Sequence, residues 1–409
     1  MTPEPRELSI DRAADGGAGV GRDSDGRVVF VEGALPGERV VVQVTKEHKR
    51  HARARLVEVI EPSPGRRQHP CASGRAGCGG CDLSHASEDL QRSIKWSTVR
   101  DALVRVGRCD PTVVDQVLDL DVVAAPIGPE GYRTTVRVGM ADARAGFRRA
   151  QRHDLVVPSE CRVAHPRVEE LLLDGRFGPE AGSEARIRMS VASGERLVVV
   201  NGDPTQVTMP DDVLITSDAE LDAGREAFLT EEAAGRTWRV SARSFFQAGP
   251  AVATALVELV SSHLGDVTGA HIVDAYAGIG LLGGSLASAA ASLTSVERSG
   301  SSTDDARVNL SDLGATIIES DVDRWTPVRA DVVIADPARA GLGKDGVRVL
   351  SGCHADRFVL VSCDPGSLGR DIRLLLDSGY DLERVTALDA FAETSQVETV
   401  ASLTRTKPA

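Results

Sequence analysis

From about residue 270 onward the chain alternates short apolar runs with helical stretches, and few folds accept that pattern. The strand candidates are 271–276, 292–297, 316–321, 331–336, 357–363, 383–389 and 398–405. Strands separated in this way by helices predict an α/β domain with a doubly wound, mostly parallel sheet. Such a sheet binds ligands outside the carboxyl ends of its strands. The residues at those ends are where chemistry is to be sought.

The preceding part reads differently. Residues 1–60 hold β-rich runs at 28–31, 39–44 and 53–59 between Gly-rich turns, which predicts a small five-stranded barrel. Glu61-Pro62-Ser63-Pro64-Gly65 then breaks the chain. A helix is expected over 87–106, with Ser87 as N-cap and Leu90, Ile94, Val99 and Leu103 as its apolar positions. Residues 112–235 mix short strands and helices. The resulting division is 1–61, 62–235 and 236–409, with the helix near 87–107 free to pack on the last part.

Aromatic residues make up only 3%, so aliphatic side chains must fill the interior. The first ten residues lack the apolar stretch of a secretory signal, and no apolar run reaches membrane-spanning length. A cytoplasmic protein without a membrane partner is expected. The net charge of -13 argues mildly against nucleic acid, because phosphate contacts need Lys and Arg. Local clustering matters more, and residues 46–55 carry five formal positive charges against one negative. On charge alone, a solvated strand or loop explains that stretch equally well.

Four strand ends carry the functional signal. Val273-Asp274-Ala275-Tyr276-Ala277-Gly278-Ile279-Gly280 runs from an apolar strand through a small-residue loop toward a helix, and the next strand ends in Glu297. Glycines let the backbone approach a ligand, and an acidic residue about 20 positions on can hold ribose hydroxyls. A nucleoside cofactor fits; nicotinamide and adenosylmethionine stay open at this point. Asp336-Pro337 and Cys363-Asp364-Pro365 end two later strands. A thiolate at such an edge can add to C6 of uracil, making C5 carbanion-like and able to attack a methyl sulfonium. The bland reading is a small apolar residue closing a buried strand. Removal of the C5 proton then needs a base. Glu398 starts the last strand and reaches the same edge if that strand runs antiparallel; alone, it reads as a solvated strand end.

Together these segments resemble the RNA uracil-5-methyltransferase family, with matches in the family's order over nearly the whole chain. Ser244-Phe245-Phe246-Gln247 looks like its SFFQ segment, Asp274 to Gly280 like its Asp-x-Tyr-x-Gly-x-Gly loop, and Asp336-Pro337-Ala338-Arg339-Ala340-Gly341 like its Asp-Pro-Pro-Arg-x-Gly motif. Ser362-Cys363-Asp364-Pro365 is similar to the Ser-Cys-Asn-Pro nucleophile segment, and Val397-Glu398 to the terminal His-Val-Glu. The resemblance implies a class I Rossmann-like methyltransferase domain using S-adenosyl-L-methionine, with Cys363 as nucleophile and Glu398 as base. Gln247, Tyr276, Gly278, Gly280, Glu297 and Asp336 would serve the cofactor pocket.

In layout the chain is most similar to the 23S rRNA type, which has an N-terminal TRAM domain and an iron–sulfur cluster. Residues 1–60 look like TRAM, an OB-like RNA-binding barrel, followed by a central α+β domain. Cys71-x6-Cys78-x2-Cys81 resembles the cluster motif, and Cys161 fits the distant fourth ligand. Four thiolates suit [4Fe–4S] or zinc by spacing alone; the resemblance favours the cluster. The implied partner is RNA, 23S rRNA first and tRNA as alternative, acted on by a monomer.

Four positions depart from the family pattern: Leu281 for Asn, Ala338 for the second Pro, Asp364 for Asn and Gln396 for His. A carboxylate at 364 is expected to disfavour a thiolate at 363, with Arg339 a candidate to compensate. An amino-methyltransferase acting on adenine or guanine is disfavoured, because Ala338-Arg339 lacks the stacking aromatic. An RNA-binding protein with a degenerate methyltransferase domain is the non-enzymatic alternative.

Overall fold

The computed structural model describes residues 5–119, 122–124, 128–149 and 154–406. The strands Arg6–Ala13, Gly19–Arg22, Val28–Glu32, Arg39–Glu47 and His51–Glu61 close into the expected barrel. Val40, Val42 and Val44 alternate inward with less buried neighbours, the period of two that a barrel wall requires. They meet Leu8, Ile10, Val29 and Val31 in one core. The basic stretch forms the tip joining the last two strands, where the rings of His48 and His51 stack at 4.4 Å.

A second sheet has the order Val213–Ser217, Arg196–Val200, Glu184–Met189, Thr135–Ala141, Arg144–Arg148, Leu155–Val156. The helix Pro166–Asp174 covers it, burying Val168, Leu171 and Leu172 against Ile187 and Val198. Before it in sequence, the helix Glu88–Arg105 begins at Ser87, whose hydroxyl accepts from Leu90 N. Its Val99 and Leu103 sit in the same buried cluster as Leu368, Ile372 and Val385 of the C-terminal domain. The fully buried Lys95 is paired there with Asp389 and donates to Phe391 O at 3.0 Å, as a buried charge must.

The C-terminal sheet has the order Thr316–Glu319, Ser292–Glu297, His271–Ala275, Val332–Ala335, Arg357–Ser362, Glu398–Arg405, Tyr380–Asp389, Val123–Ala124. The seven expected strands are all present; their ends differ from expectation by one to three residues where they differ at all. The eighth, two residues long, is too short to leave a periodic signal. Val332–Ala335 and Arg357–Ser362 are buried almost throughout, as strands covered on both faces are. Glu398–Arg405 alone runs antiparallel to both neighbours. No described helix is long and apolar enough to cross a membrane.

Candidate active site

Strand order turns the sequence motifs into one row. Glu297, Tyr276, Asp336 and Cys363 stand at or just beyond the carboxyl ends of four adjacent strands. The reversed last strand brings its first residue, Glu398, to the same edge. Ser362 pairs with Thr399, whose hydroxyl donates to Ser362 O at 2.8 Å. One further step of that register sets Cys363 across from Glu398. From Glu297 to Glu398 the row crosses four interstrand steps, about 19 Å. That is room for a nucleoside cofactor beside a second base.

The loop after His271–Ala275 is shaped for close approach. Tyr276, Gly278 and Gly280 all have positive φ (60°, 55° and 87°). A Cβ at Gly278 would meet nothing within 4 Å, so its exposed side is open. Gly280 has the opposite need: a Cβ there would lie 2.7 Å from Leu310 Cδ1, so only glycine fits. Glu297 braces the loop by accepting from Gly278 N at 3.1 Å and Ser299 N at 2.7 Å. Asp274 is wholly buried, accepts from Gly283 N at 2.9 Å and leaves its other oxygen unpartnered. Burial pushes its carboxyl up to about 7.

Cys363 lines a cavity of about 350 Å³ with Arg339, Asp364 and Gln396. The opposite wall comes from distant segments, Asp15 and Gly16 of the barrel and Gly79, Gly80 and Asp82 of the cysteine loop. Burial pushes the Cys363 thiol up to about 11, with Glu398 and Asp336 adding to the rise and Arg339 opposing it. Burial likewise raises Asp336 to about 7. Glu398 is raised well above the usual carboxylate range by burial and by Asp336, again against Arg339; its Oε1 has no partner.

The expectation about Asp364 needs correction. Its carboxylate caps the helix Pro365–Asp377, accepting from Ser367 N at 2.7 Å. The charges acting most strongly on Cys363 are Glu398, Asp336 and Arg339 instead. Asp364→Asn keeps a good N-cap, so it should change stability by less than about 0.5 kcal/mol and leave Cys363 alkylation unchanged with pH. Asp364→Ala should cost about 1 kcal/mol. Thermal unfolding and mass-mapped alkylation across pH check both; a large acid shift in Asp364→Asn alkylation would restore the original expectation.

The Ser244–Gln247 segment is anchored from below. Ser244 Oγ donates to Asp305 Oδ2 at 2.6 Å, and Asp305 also accepts from Ser241 and Arg239. Arg188, half-buried, donates to Ser244 O at 2.8 Å. Phe245 is left 67% exposed while Gln247 is buried. Gln247 does not line the Cys363 cavity. Sequence reasoning missed Asp305, since an aspartate on the polar-rich helix Gly300–Asn309 gives no sign that it faces inward. It also missed Asp15 and Asp82, whose meeting with Cys363 depends on how the domains pack.

Cys71, Cys78, Cys81 and Cys161 all line a second cavity, of about 300 Å³. Among the described residues no three His, Cys, Asp or Glu side chains converge closely enough to hold a single metal ion. Burial raises the Cys81 thiol to about 12 and Cys161 to about 11. Cys161 is buried and Cys71, Cys78 and Cys81 are half-buried, and all four thiols line the one void. A single zinc would need all four sulfurs about 2.3 Å from one point.

Residues 4–57 match the TRAM domain family. An uncharacterized RNA methyltransferase of Streptomyces avermitilis is 33% identical, covering 98% of each chain. Another from Streptomyces coelicolor is also 33% identical, over 98% of this chain and 93% of that one. Among solved structures, the tRNA (uracil-54, C5)-methyltransferase of Pyrococcus abyssi in complex with S-adenosyl-L-homocysteine superposes with a TM-score of 0.72. It covers 97% of this chain and 99% of its own, at 23% identity. The fold is therefore that of an adenosylmethionine-dependent methyltransferase with an N-terminal TRAM barrel.

Proposed function

Because the chain belongs to the TRAM-containing RNA methyltransferase family, we propose that it methylates C5 of uridine in RNA, with Cys363 as nucleophile and Glu398 as base. The observation that carries this reading is the register that sets Cys363 opposite Glu398, beside Asp336 and the nucleoside loop. Two functional groups on adjacent strands suit two adjacent ring atoms, C6 and C5.

The Cys363 thiolate forms a bond to C6, and the ring's electrons shift to C5. S-Adenosyl-L-methionine, when bound, supplies a methyl group on a sulfonium for C5 to take. Gln247, Tyr276, Gly278, Gly280, Glu297 and Asp336 would hold it; the positive-φ loop and the open side of Gly278 fit such a ligand. Glu398 then accepts the C5 proton, the C5–C6 double bond re-forms, and the C6–S bond breaks with its electron pair returning to sulfur. A carboxylate raised by burial is a stronger base than an exposed one, which suits that task. Arg339 favours both ionised forms, thiolate and carboxylate.

Cys71, Cys78, Cys81 and Cys161, which line one cavity, would hold a [4Fe–4S] cluster, with zinc as the alternative. Methyl transfer needs no electron, so the cluster's contribution is structural. The RNA is 23S rRNA in the leading reading; the Pyrococcus abyssi neighbour, a tRNA enzyme, supports tRNA as the second. The protein acts in the cytoplasm as a monomer.

The test is to incubate 23S rRNA and tRNA from cells lacking this gene with the protein and cofactor, then analyse nucleosides by mass spectrometry. New 5-methyluridine in rRNA is expected. Product in tRNA alone would move the substrate assignment, and methyl groups on adenine or guanine would overturn the chemistry. Failure to bind the cofactor while RNA binding persists would favour the degenerate-domain alternative.

A further inference from the structure

The loop that delivers Glu398 to the active site is held by the segment that carries the cysteine centre. Residues 390–397 join the strands Tyr380–Asp389 and Glu398–Arg405, and the base is the first residue after the loop. Glu393 is its pivot. Its backbone lies in the left-handed region at φ 70°, which a non-glycine residue keeps only under constraint.

The constraint comes from outside the loop. Leu83 N donates to Glu393 O at 3.0 Å, Glu393 N donates to Gln91 Oε1 at 3.0 Å, and Arg67 Nη2 donates to Glu393 Oε1 at 2.6 Å. Two residues on, Ser395 N and Ser395 Oγ donate to the two oxygens of Asp82 at 2.8 and 2.6 Å. Arg67, Asp82 and Leu83 flank the Cys71–Cys81 segment on both sides, and Asp82 directly follows Cys81. Glu393 itself lines the cavity of the four cysteines. The barrel closes on the same joint: a Cβ at Gly17 would lie 2.7 Å from Asp82 Oδ2 and 3.2 Å from Ser395 Cβ, so the contact requires glycine.

We propose that the 390–397 loop is a strap through which the cysteine centre sets the position of Glu398, with Asp82 and Glu393 as its positioning residues. The proposal rests on the reading of Glu398 as the base. It gives the cysteine centre a task in the second half of the reaction, proton removal and release of Cys363, while the first half proceeds without it. None of these bonds runs to Cys363 or to the nucleoside loop, although Asp82 and Ser395 also line the Cys363 cavity, so loosening the strap should slow release more than methyl transfer.

Asp82 is the site to test, because it is exposed and its loss should not unfold the chain. In single-turnover reactions of the full, metal-loaded chain with uridine RNA, Asp82→Ala, which also alters the wall of the Cys363 cavity, should slow methyl transfer far less than it slows resolution of the adduct. Its covalent RNA adduct should resolve at least about tenfold more slowly. Asp82→Asn, which can keep both bonds to Ser395, should restore release to within about threefold. Release by Asp82→Ala at the wild-type rate, equal slowing of both steps, or an Asp82→Asn as slow as Asp82→Ala would each overturn the strap. Amide hydrogen exchange supplies a readout independent of turnover: it should accelerate in Asp82→Ala across 391–397 and stay unchanged over 357–362. Unchanged exchange in the loop counts against the proposal. If wild type forms no adduct through Cys363, the functional reading fails, and the exchange experiment still decides whether the strap exists.

Discussion

Cys363→Ala is expected to abolish 5-methyluridine formation, a loss of at least about 10⁴-fold or roughly 5.5 kcal/mol of barrier. Without sulfur at that position nothing adds to C6, and C5 of a neutral uracil is too weak a nucleophile to take a methyl group unaided. The size of the effect separates chemistry from packing. Cys363 is half-buried at a strand end, so trimming it to alanine should cost no more than about 1 kcal/mol of stability. Cofactor and RNA affinity should persist, because the nucleoside loop, Glu297 and the barrel are untouched. The direct assay uses RNA carrying 5-fluorouridine, whose C5 fluorine cannot leave as a proton leaves, so the adduct is trapped. Wild type should give an adduct that survives denaturing electrophoresis and maps to Cys363. An adduct of equal yield in Cys363→Ala would remove the cysteine from the mechanism.

Glu398→Gln should produce the opposite phenotype, with methyl transfer retained and release blocked. Loss of a positioned base typically costs 10² to 10⁴-fold, so turnover should fall by about 10³-fold while methylated adduct accumulates to nearly one per protein. Rapid turnover by this variant would assign the proton to another group. The same change should stabilise the ligand-free protein. Glu398 is raised by burial and by Asp336, so between its ordinary range and its folded value the folded state holds a proton that the unfolded state has lost. Its contribution is therefore full at low pH and declines as pH rises through the folded value. Glutamine keeps the shape without the titration, and the gain in unfolding midpoint over wild type should grow from pH 5 toward neutrality. A stabler but stalled enzyme is the usual signature of a strained functional residue. A variant destabilised at neutral pH would instead show that Glu398 is held charged.

Much of the row at the sheet edge was legible because its signals are local. Apolar runs mark strands, and Asp336 and Cys363 close two of them. Gly278 and Gly280 advertise a loop that needs positive φ. The antiparallel course of Glu398–Arg405 was needed to bring Glu398 to that edge, and the sequence could state it only as a condition. What stayed hidden depends on contacts between distant segments. Asp15, Asp82 and Cys363 share a cavity although they lie far apart in the chain, and no periodicity encodes that. Gln247 belongs to a recognisable motif, yet its burial beside the helix Pro250–Leu264 keeps it out of that cavity. Asp364 misled for a related reason. Adjacency to Cys363 was visible, but the direction of its side chain is set by the helix it caps.

The pairing of Ser362 with Thr399 has a consequence for how this site can vary. The gap between Cys363 and Glu398 is a backbone dimension, held by ladder hydrogen bonds at the roughly 4.8 Å spacing of neighbouring strands. Flanking side chains that neither pair the strands nor hold the 390–397 loop can change without altering that ruler. Asp364 and Gln396 stand on those flanks, one beside Cys363 and one two residues before Glu398. An inserted or deleted residue within either strand is another matter, since a slip of one turns every following side chain to the opposite face. The site is thus least tolerant of a change in strand length.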